Sequence, residues 1–269
     1  MHVYISADME GIAGVTTLQQ TVPGSRGYDS ACRLMTNEIN LAVAGAFDAG
    51  AKHVLVNDSH GPMDNIDYSA LDPRADLLQG KPKVGGMSAG LSSAHDVAFL
   101  LGYHSPAGQR GILSHTYTSR FRRVLLNDQI ISEAELVGLV CASYQVPVGL
   151  VTGDDQICKL GDAVFPGAQT VCVKRSHGQH SGTHSARSVV EQSIRRAARD
   201  ATTNARQLSA GTIPGHLELL VEFSRPHEAE LASKIPTAEL IDRTTTRVVL
   251  DEPTQLMEVL SVWAAVCAD

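Results

Sequence analysis

Short apolar runs recur through the first half of the chain, and each ends abruptly in polar side chains. HVYISADMEG closes on Asp8 and Glu10, KHVLVNDSH on Asp58 and His60, and DVAFLLGYH on His104. Runs of this length, bounded by turn residues, predict buried strands. Between the first two lies CRLMTNEINLAVAGAFDAG, with apolar residues at helical spacing and Gly50 placed to end the helix. The resulting strand–helix–strand order predicts a parallel pair joined by a crossover. Residues 61–95 carry turn signals (Gly61-Pro62, Asp72-Pro73, Gly85-Gly86) and one short apolar stretch, ADLLQG.

Farther along, GILSHTYT predicts a fourth strand. RVLLNDQII predicts a hairpin around Asn127-Asp128, residues that tolerate the positive φ of a tight turn. SEAELVGLVCASYQ predicts a helix opened by a capping box, in which Glu135 reaches back to Ser132. Glu133, at the first helical position, is then free to point elsewhere. PVGLVTGDD is another strand ending in acids, with Asp154 and Asp155 read as helix N-capping residues. TVCVKR follows as strand, then a His/Ser/Gly-rich loop to about 184, and a long helix to about 206. LELLVEF, a helix near 226–234, a strand region at 239–251 and a helix over 253–267 complete the pattern. The fold class is α/β, a parallel or mixed central sheet flanked by helices. The break at AGTIPGH (210–216) divides the chain into a catalytic α/β domain, 1–210, and a smaller C-terminal α/β unit, 211–269, packed on it.

Open α/β sheets bind ligands outside the carboxyl ends of their strands. Asp8, Glu10, His60 and His104 all sit at such ends, so the fold brings them together. Carboxylate and imidazole without cysteine suit zinc in a catalytic site, or manganese or iron. Asp8 and Glu10, two apart, share a face in a regular strand. An acid at a strand end, or a histidine capping one, is ordinary by itself. Their recurrence at equivalent ends is what points to a metal. Ser114 and His115 are adjacent, so on a strand they face opposite ways and make a poor nucleophilic pair. His115 remains as a lone acid/base or transition-state donor. His177, His180 and His184 would share a face only in a helix, and the Gly and Ser among them predict a mobile loop over the active edge instead of a metal site.

The chain has 269 residues and a net charge of −7, which argues against nucleic acid or an anionic membrane as partner. The arginine clusters at 120–123 and 195–199 read as solvated faces or subunit contacts. Five widely spaced cysteines without a C-x-x-C pair suggest small core residues in a reducing compartment. No leader pattern opens the chain, and no apolar run approaches the ~18–20 residues that span a bilayer. A cytoplasmic location is the expectation.

SADMEGIAG, VLVNDSH, FLLGYH, LSH, LNDQIISE and the GDD after a strand occur in the order and spacing of the zinc-dependent D-aminopeptidases of the DppA type. The chain resembles that family over nearly its whole length, through TTTRVVL. The resemblance implies a binuclear zinc site with ligands Asp8, Glu10, His60, His104 and Glu133, Asp8 bridging, and His115 as the catalytic histidine. It also implies a homodecamer of two stacked five-membered rings with active sites facing an internal chamber. This chain has Ser132-Glu133 where the family has a Gly-Glu pair. Its segment 176–185 departs from the family's and is a little shorter, which leaves preference for D-residues and peptide length open.

The activity so implied is removal of N-terminal residues, such as D-alanine, from short peptides or amides. Two zinc ions ~3.5–4 Å apart would share a water held as hydroxide. One of them can take the substrate's neutral α-amine. Alternatives are an L-specific aminopeptidase on the same scaffold, a binuclear phosphoesterase, and a non-catalytic metal-stabilised ring protein. The acidity of the chain and the lack of convergent Arg/Lys near the strand tips weigh against the phosphoesterase. Intact His115 weighs against the last.

Overall fold

In β1 (His2–Ala7) every residue after His2 is buried, and the alternation decides what each side chain meets. Val3, Ile5 and Ala7 join one apolar cluster, and Tyr4 joins another on the opposite face. The computed structural model describes residues 1–267. After β1 come α1 (Tyr28–Asp48), β2 (His53–Asp58), β3 (Asp76–Leu78) and β4 (Val97–Tyr103). Next are β5 (Phe121–Leu126), β6 (Gln129–Ile130), α2 (Glu133–Ser143), β7 (Val148–Asp154), α3 (Asp155–Val164), β8 (Gln169–Gly178) and β9 (Ser181–His184). The chain closes with α4 (Arg187–Asn204), β10 (Leu217–Phe223), α5 (Pro226–Ala232), β11 (Ala238–Leu240), β12 (Thr245–Leu250) and α6 (Pro253–Val266).

Two sheets form. The first has the order β3-β2-β1-β4-β7-β8-β9, parallel except for the β8–β9 pair. The chain builds outward from β1 to β2 and β3, then returns to add β4 on the other side. That reversal makes the β1/β4 boundary a switch point, where strand tips diverge and leave a crevice. The second sheet, β11-β12-β10-β5-β6, is antiparallel. It draws β5 and β6 from before residue 210 and its other strands from after it. The α/β class with helices flanking a mostly parallel sheet is as the sequence predicts.

On one face of the first sheet, α1 and α4 cover Val3, Ile5, Val54, Val56, Phe99 and Leu101. They cross closely because Gly45 has no side chain: a Cβ there would lie 2.2 Å from the Arg195 carbonyl. On the other face, α2, α6 and the second sheet share a core with Tyr4, Leu100 and Tyr103, in which Trp263 is fully buried. Helix α1 ends as expected, with Gly50 at φ 84° and Ala51 bonding back to Ala46 at 3.0 Å. Asn127 and Asp128 take φ of 51° and 65°, the tight turn of the predicted hairpin.

Two expectations fail locally. GILSHTYT is not a strand: Leu113 and Tyr117 adopt positive φ (55° and 62°), which breaks extension, and only a Thr116–Thr118 bridge is made there among the described residues. The His-rich segment is not a loop, since β8 runs on to Gly178 and pairs with β9. Helix α3 follows directly on Asp154, whose side chain accepts from the amides of Gln156 and Ile157 at 3.0 Å, as its N-capping role predicts. No helix among the described residues is long and apolar enough to cross a membrane.

Candidate metal centre

Strands β1, β2 and β4 are neighbours in register, so the residues just past their ends converge. Asp8 follows β1 directly, His104 follows β4 directly, and His60 lies two residues beyond β2. The strand itself stops at Ala7, so strand alternation is not what unites Asp8 with Glu10. A turn does that: Gly11 donates to the Gly102 carbonyl at 2.7 Å. A Cβ on Gly11 would come within 2.1 Å of the Tyr103 carbonyl, so glycine lets the turn press against the end of β4.

The predicted ligands are all brought together and all buried, between 2% and 6% exposed. His60 Nδ1 lies 3.2 Å from Asp8 Oδ1 and 2.9 Å from Glu10 Oε2. His104 Nε2 lies 3.3 Å from both Asp8 Oδ2 and Glu133 Oε2. Asp8 therefore stands between two halves, one oxygen toward each histidine.

The far nitrogens decide what these contacts mean. His60 Nε2 donates to the Thr21 carbonyl at 2.8 Å, and His104 Nδ1 donates to the Ser105 carbonyl at 3.0 Å. A carbonyl can only accept, so each neutral ring spends its one proton there. The nitrogens facing the carboxylates are left with lone pairs. Lone pair against carboxylate is repulsive unless a proton or a metal ion sits between them. Asp8 Oδ2, Glu10 Oε2 and His104 Nε2 are accordingly buried without a hydrogen-bond partner. The residues present fit a metal ion. Ligand atoms of Asp8, Glu10 and His104 lie within 4.8 Å of one another, and so do those of His104, His115 and Glu133.

The electrostatics point the same way. Burial alone would depress the His60 imidazole, but the carboxylates of Glu10 and Asp8 outweigh it and hold it well above its usual range. His104 is raised likewise against its burial, chiefly by Glu133 and Asp8. Burial pushes the Asp8 carboxyl up, and the neighbouring Glu10 adds to this. Without metal, protons on the two imidazoles take the cation's place, while those imidazoles hold the Glu10 and Glu133 carboxyls below their usual range against burial.

Neighbouring acids are sorted clearly. Glu135 bonds the Ser132 amide at 2.8 Å, and Ser132 Oγ accepts from the Glu135 amide at 3.1 Å, completing the capping box. Glu133 turns inward, with Oε1 accepting from the Tyr117 amide at 2.5 Å. Asp58 is spoken for, accepting from the amides of Asn65 and Ile66 at 2.6 and 2.9 Å and so pinning the loop beyond His60.

His115 stacks on His104, with ring centroids 4.3 Å apart. Its Nδ1 donates to the Leu113 carbonyl at 2.8 Å, which leaves Nε2 for other work. Ser114 Oγ donates to the Gln109 carbonyl at 2.8 Å, so it is no nucleophile for His115. The two residues are separated by their hydrogen bonds and not by strand alternation. His115 lines two cavities of about 410 and 500 Å³, the first with Asp8, His60 and Glu133, the second with Glu10, Gln179 and His180. The other histidines of the segment are held elsewhere: His177 Nε2 meets Thr183 Oγ1 at 2.8 Å, and His184 Nδ1 accepts from the Gly14 amide at 3.0 Å. No metal cluster forms among His177, His180 and His184.

Residues beneath the site went unread in the sequence. Ser6 Oγ lies 2.7 Å from both Ser59 Oγ and Tyr103 OH, a buried polar knot under the strand tips. Lys174 is fully buried beside the turn that carries Glu10. Each had a signal, a polar residue inside an apolar run.

Comparison with known proteins fits this geometry. A family model described as D-aminopeptidase matches residues 1–262. A D-aminopeptidase of Bacillus subtilis (strain 168) is 33% identical over 246 residues, 91% of this chain and 90% of that protein. The solved structure described as "Zn-dependent D-aminopeptidase DppA from Bacillus subtilis, a self-compartmentalizing protease" superposes with a TM-score of 0.94 at 31% identity, covering 99% of this chain and 97% of that one. Fold, site and relatives together define a metallo-aminopeptidase, a hydrolase acting on peptide bonds. The chain belongs to the D-aminopeptidase family, as its motifs predict.

Proposed function

We propose that this protein is a binuclear zinc aminopeptidase that removes N-terminal D-amino acids, such as D-alanine, from short peptides or amides. Asp8, Glu10, His60, His104 and Glu133 would hold the two ions. The observation that carries this reading is the pair of histidines whose remote nitrogens are bonded to the Thr21 and Ser105 carbonyls, so that the other nitrogens face buried acids, with His104 Nε2, Asp8 Oδ2 and Glu10 Oε2 left without a hydrogen-bond partner. Fixing a ligand's tautomer through its remote nitrogen is how metal sites orient imidazoles. Asp8, with an oxygen toward each histidine, has the position a bridging ligand needs. Zinc held there would polarise the scissile carbonyl and make a water acidic enough to attack it near neutral pH.

The chain's own residues supply the remainder. The ring of His115 is locked by Leu113 and by its stack on His104, so Nε2 has one direction in which to act. From there it can donate to the oxygen that gains charge in the transition state, or pass a proton to the leaving amine. The cavities on its two sides offer room for the N-terminal residue and for the leaving portion. The zinc dependence, the D-preference and an oligomeric, self-compartmentalizing assembly are extended to this chain from the related structure. The two-ring decamer and a cytoplasmic location belong to the same proposal.

Paired D- and L-aminoacyl amides and dipeptides, assayed with the zinc-loaded protein, test the reading. Hydrolysis of D-alanyl substrates with the L-forms left intact is expected. Hydrolysis of the L-forms alone would overturn the stereopreference, and turnover of neither would overturn the aminopeptidase assignment to this site.

A further inference from the structure

Lys174 lies in β8 with no exposed surface, an unusual place for an ammonium group. Its Nζ donates to three backbone carbonyls, Glu10 at 2.5 Å, Ile12 at 3.0 Å and Val15 at 2.6 Å. An ammonium has three N–H donors, so all of its capacity goes to one turn of chain. The amides of that turn are held from the other side: Gly11 by the Gly102 carbonyl at 2.7 Å, Ala13 by Glu38 Oε1 at 2.8 Å, and Gly14 by His184 at 3.0 Å. An apolar side chain would fill the same space without the cost of desolvating a charge. What only a lysine supplies here is three donors radiating from one point.

We infer that Lys174 is a positioning residue for the metal centre, clamping residues 10–15 so that Glu10 presents its carboxylate to His60, on the same side of the site as Asp8. The inference rests on the reading of Glu10 as a zinc ligand. Glu38, buried on α1, bonds the Ala13 amide of the same turn. The carboxylate of Glu10 is thus set by its own backbone, before any ion arrives.

The test is zinc affinity, measured by chelator competition on the full chain, for the parent, Lys174→Met, Lys174→Gln and Val173→Ala. Val173 is the buried neighbour on the opposite face of β8, in the α1/α4 core, and controls for lost stability alone. Losing an outer-shell partner typically costs ~10–100-fold in metal affinity. Lys174→Met is expected to weaken zinc at least ~10-fold and Lys174→Gln, which keeps an amide donor group, by less. Val173→Ala should bind like the parent. Parent-like affinity in both Lys174 variants, or equal weakening in Val173→Ala, overturns the inference while leaving the zinc site standing. A parent that binds no zinc overturns the metal reading and this inference with it. If neither Lys174 variant folds, hydrogen exchange on the parent decides: amides 11–15 should stay protected when zinc is withdrawn, and free exchange there overturns the clamp.

Discussion

His104 and His115 lie face to face, ring centroids 4.3 Å apart and planes 8° from parallel. One ring turns its nitrogen onto Asp8 and Glu133, and the other is anchored through Nδ1 to Leu113 and presents Nε2. The stack divides packing from chemistry, because a phenyl ring can do the first and not the second. His115→Phe is expected to keep zinc content unchanged and lower kcat ~10²–10³-fold, the usual loss for one transition-state donor. Near-parental turnover in that variant would show that the ring matters only as a surface for His104.

Two glutamates on the first turn of α2 provide a matched contrast. Glu133→Ala should strip zinc and activity, since its carboxylate faces His104. Glu135→Ala should leave zinc in place and cost about 1 kcal/mol of stability through the lost cap. Metal analysis with thermal denaturation separates them, and equal zinc loss from both would reject the division of labour.

That contrast was legible in the sequence, because the Ser132–Glu135 spacing already assigned one acid a structural task. So were the strand tips, since apolar runs ending in Asp8, His60 and His104 specify both burial and direction. The route from Asp8 to Glu10 was not. It depends on Gly11 fitting against the Tyr103 carbonyl and on Lys174 reaching across from β8, contacts between residues far apart in sequence. The segment 111–118 reads as strand by composition, yet Leu113 and Tyr117 give up extension so that Leu113 can bond Gln179 and Tyr117 can bond Glu133. Tertiary partners outweighed local propensity there.

Glu38 predicts a pH dependence of stability. Burial pushes its carboxyl up from an ordinary 4.5 to about 7, against the pull of the Ala13 amide and Lys174. Between those values the folded chain binds more protons than the unfolded chain. Its contribution is therefore fully present below about 4.5 and is lost as pH rises toward about 7. Glu38→Gln can keep the bond to Ala13 but cannot ionise. Its Tm relative to the parent should rise between pH ~5 and pH ~8, and a constant difference would show that Glu38 does not titrate in this range.

The zinc-to-chain ratio of the purified protein, measured beside that of Asp8→Ala, tests the central claim most directly. Asp8 faces both histidines, so removing it should disable both halves of the site together. About two zinc ions per chain are expected in the parent and almost none in the variant, in keeping with a two-metal hydrolase site. A parent without zinc, or an Asp8→Ala chain that keeps the parent's zinc, would contradict it.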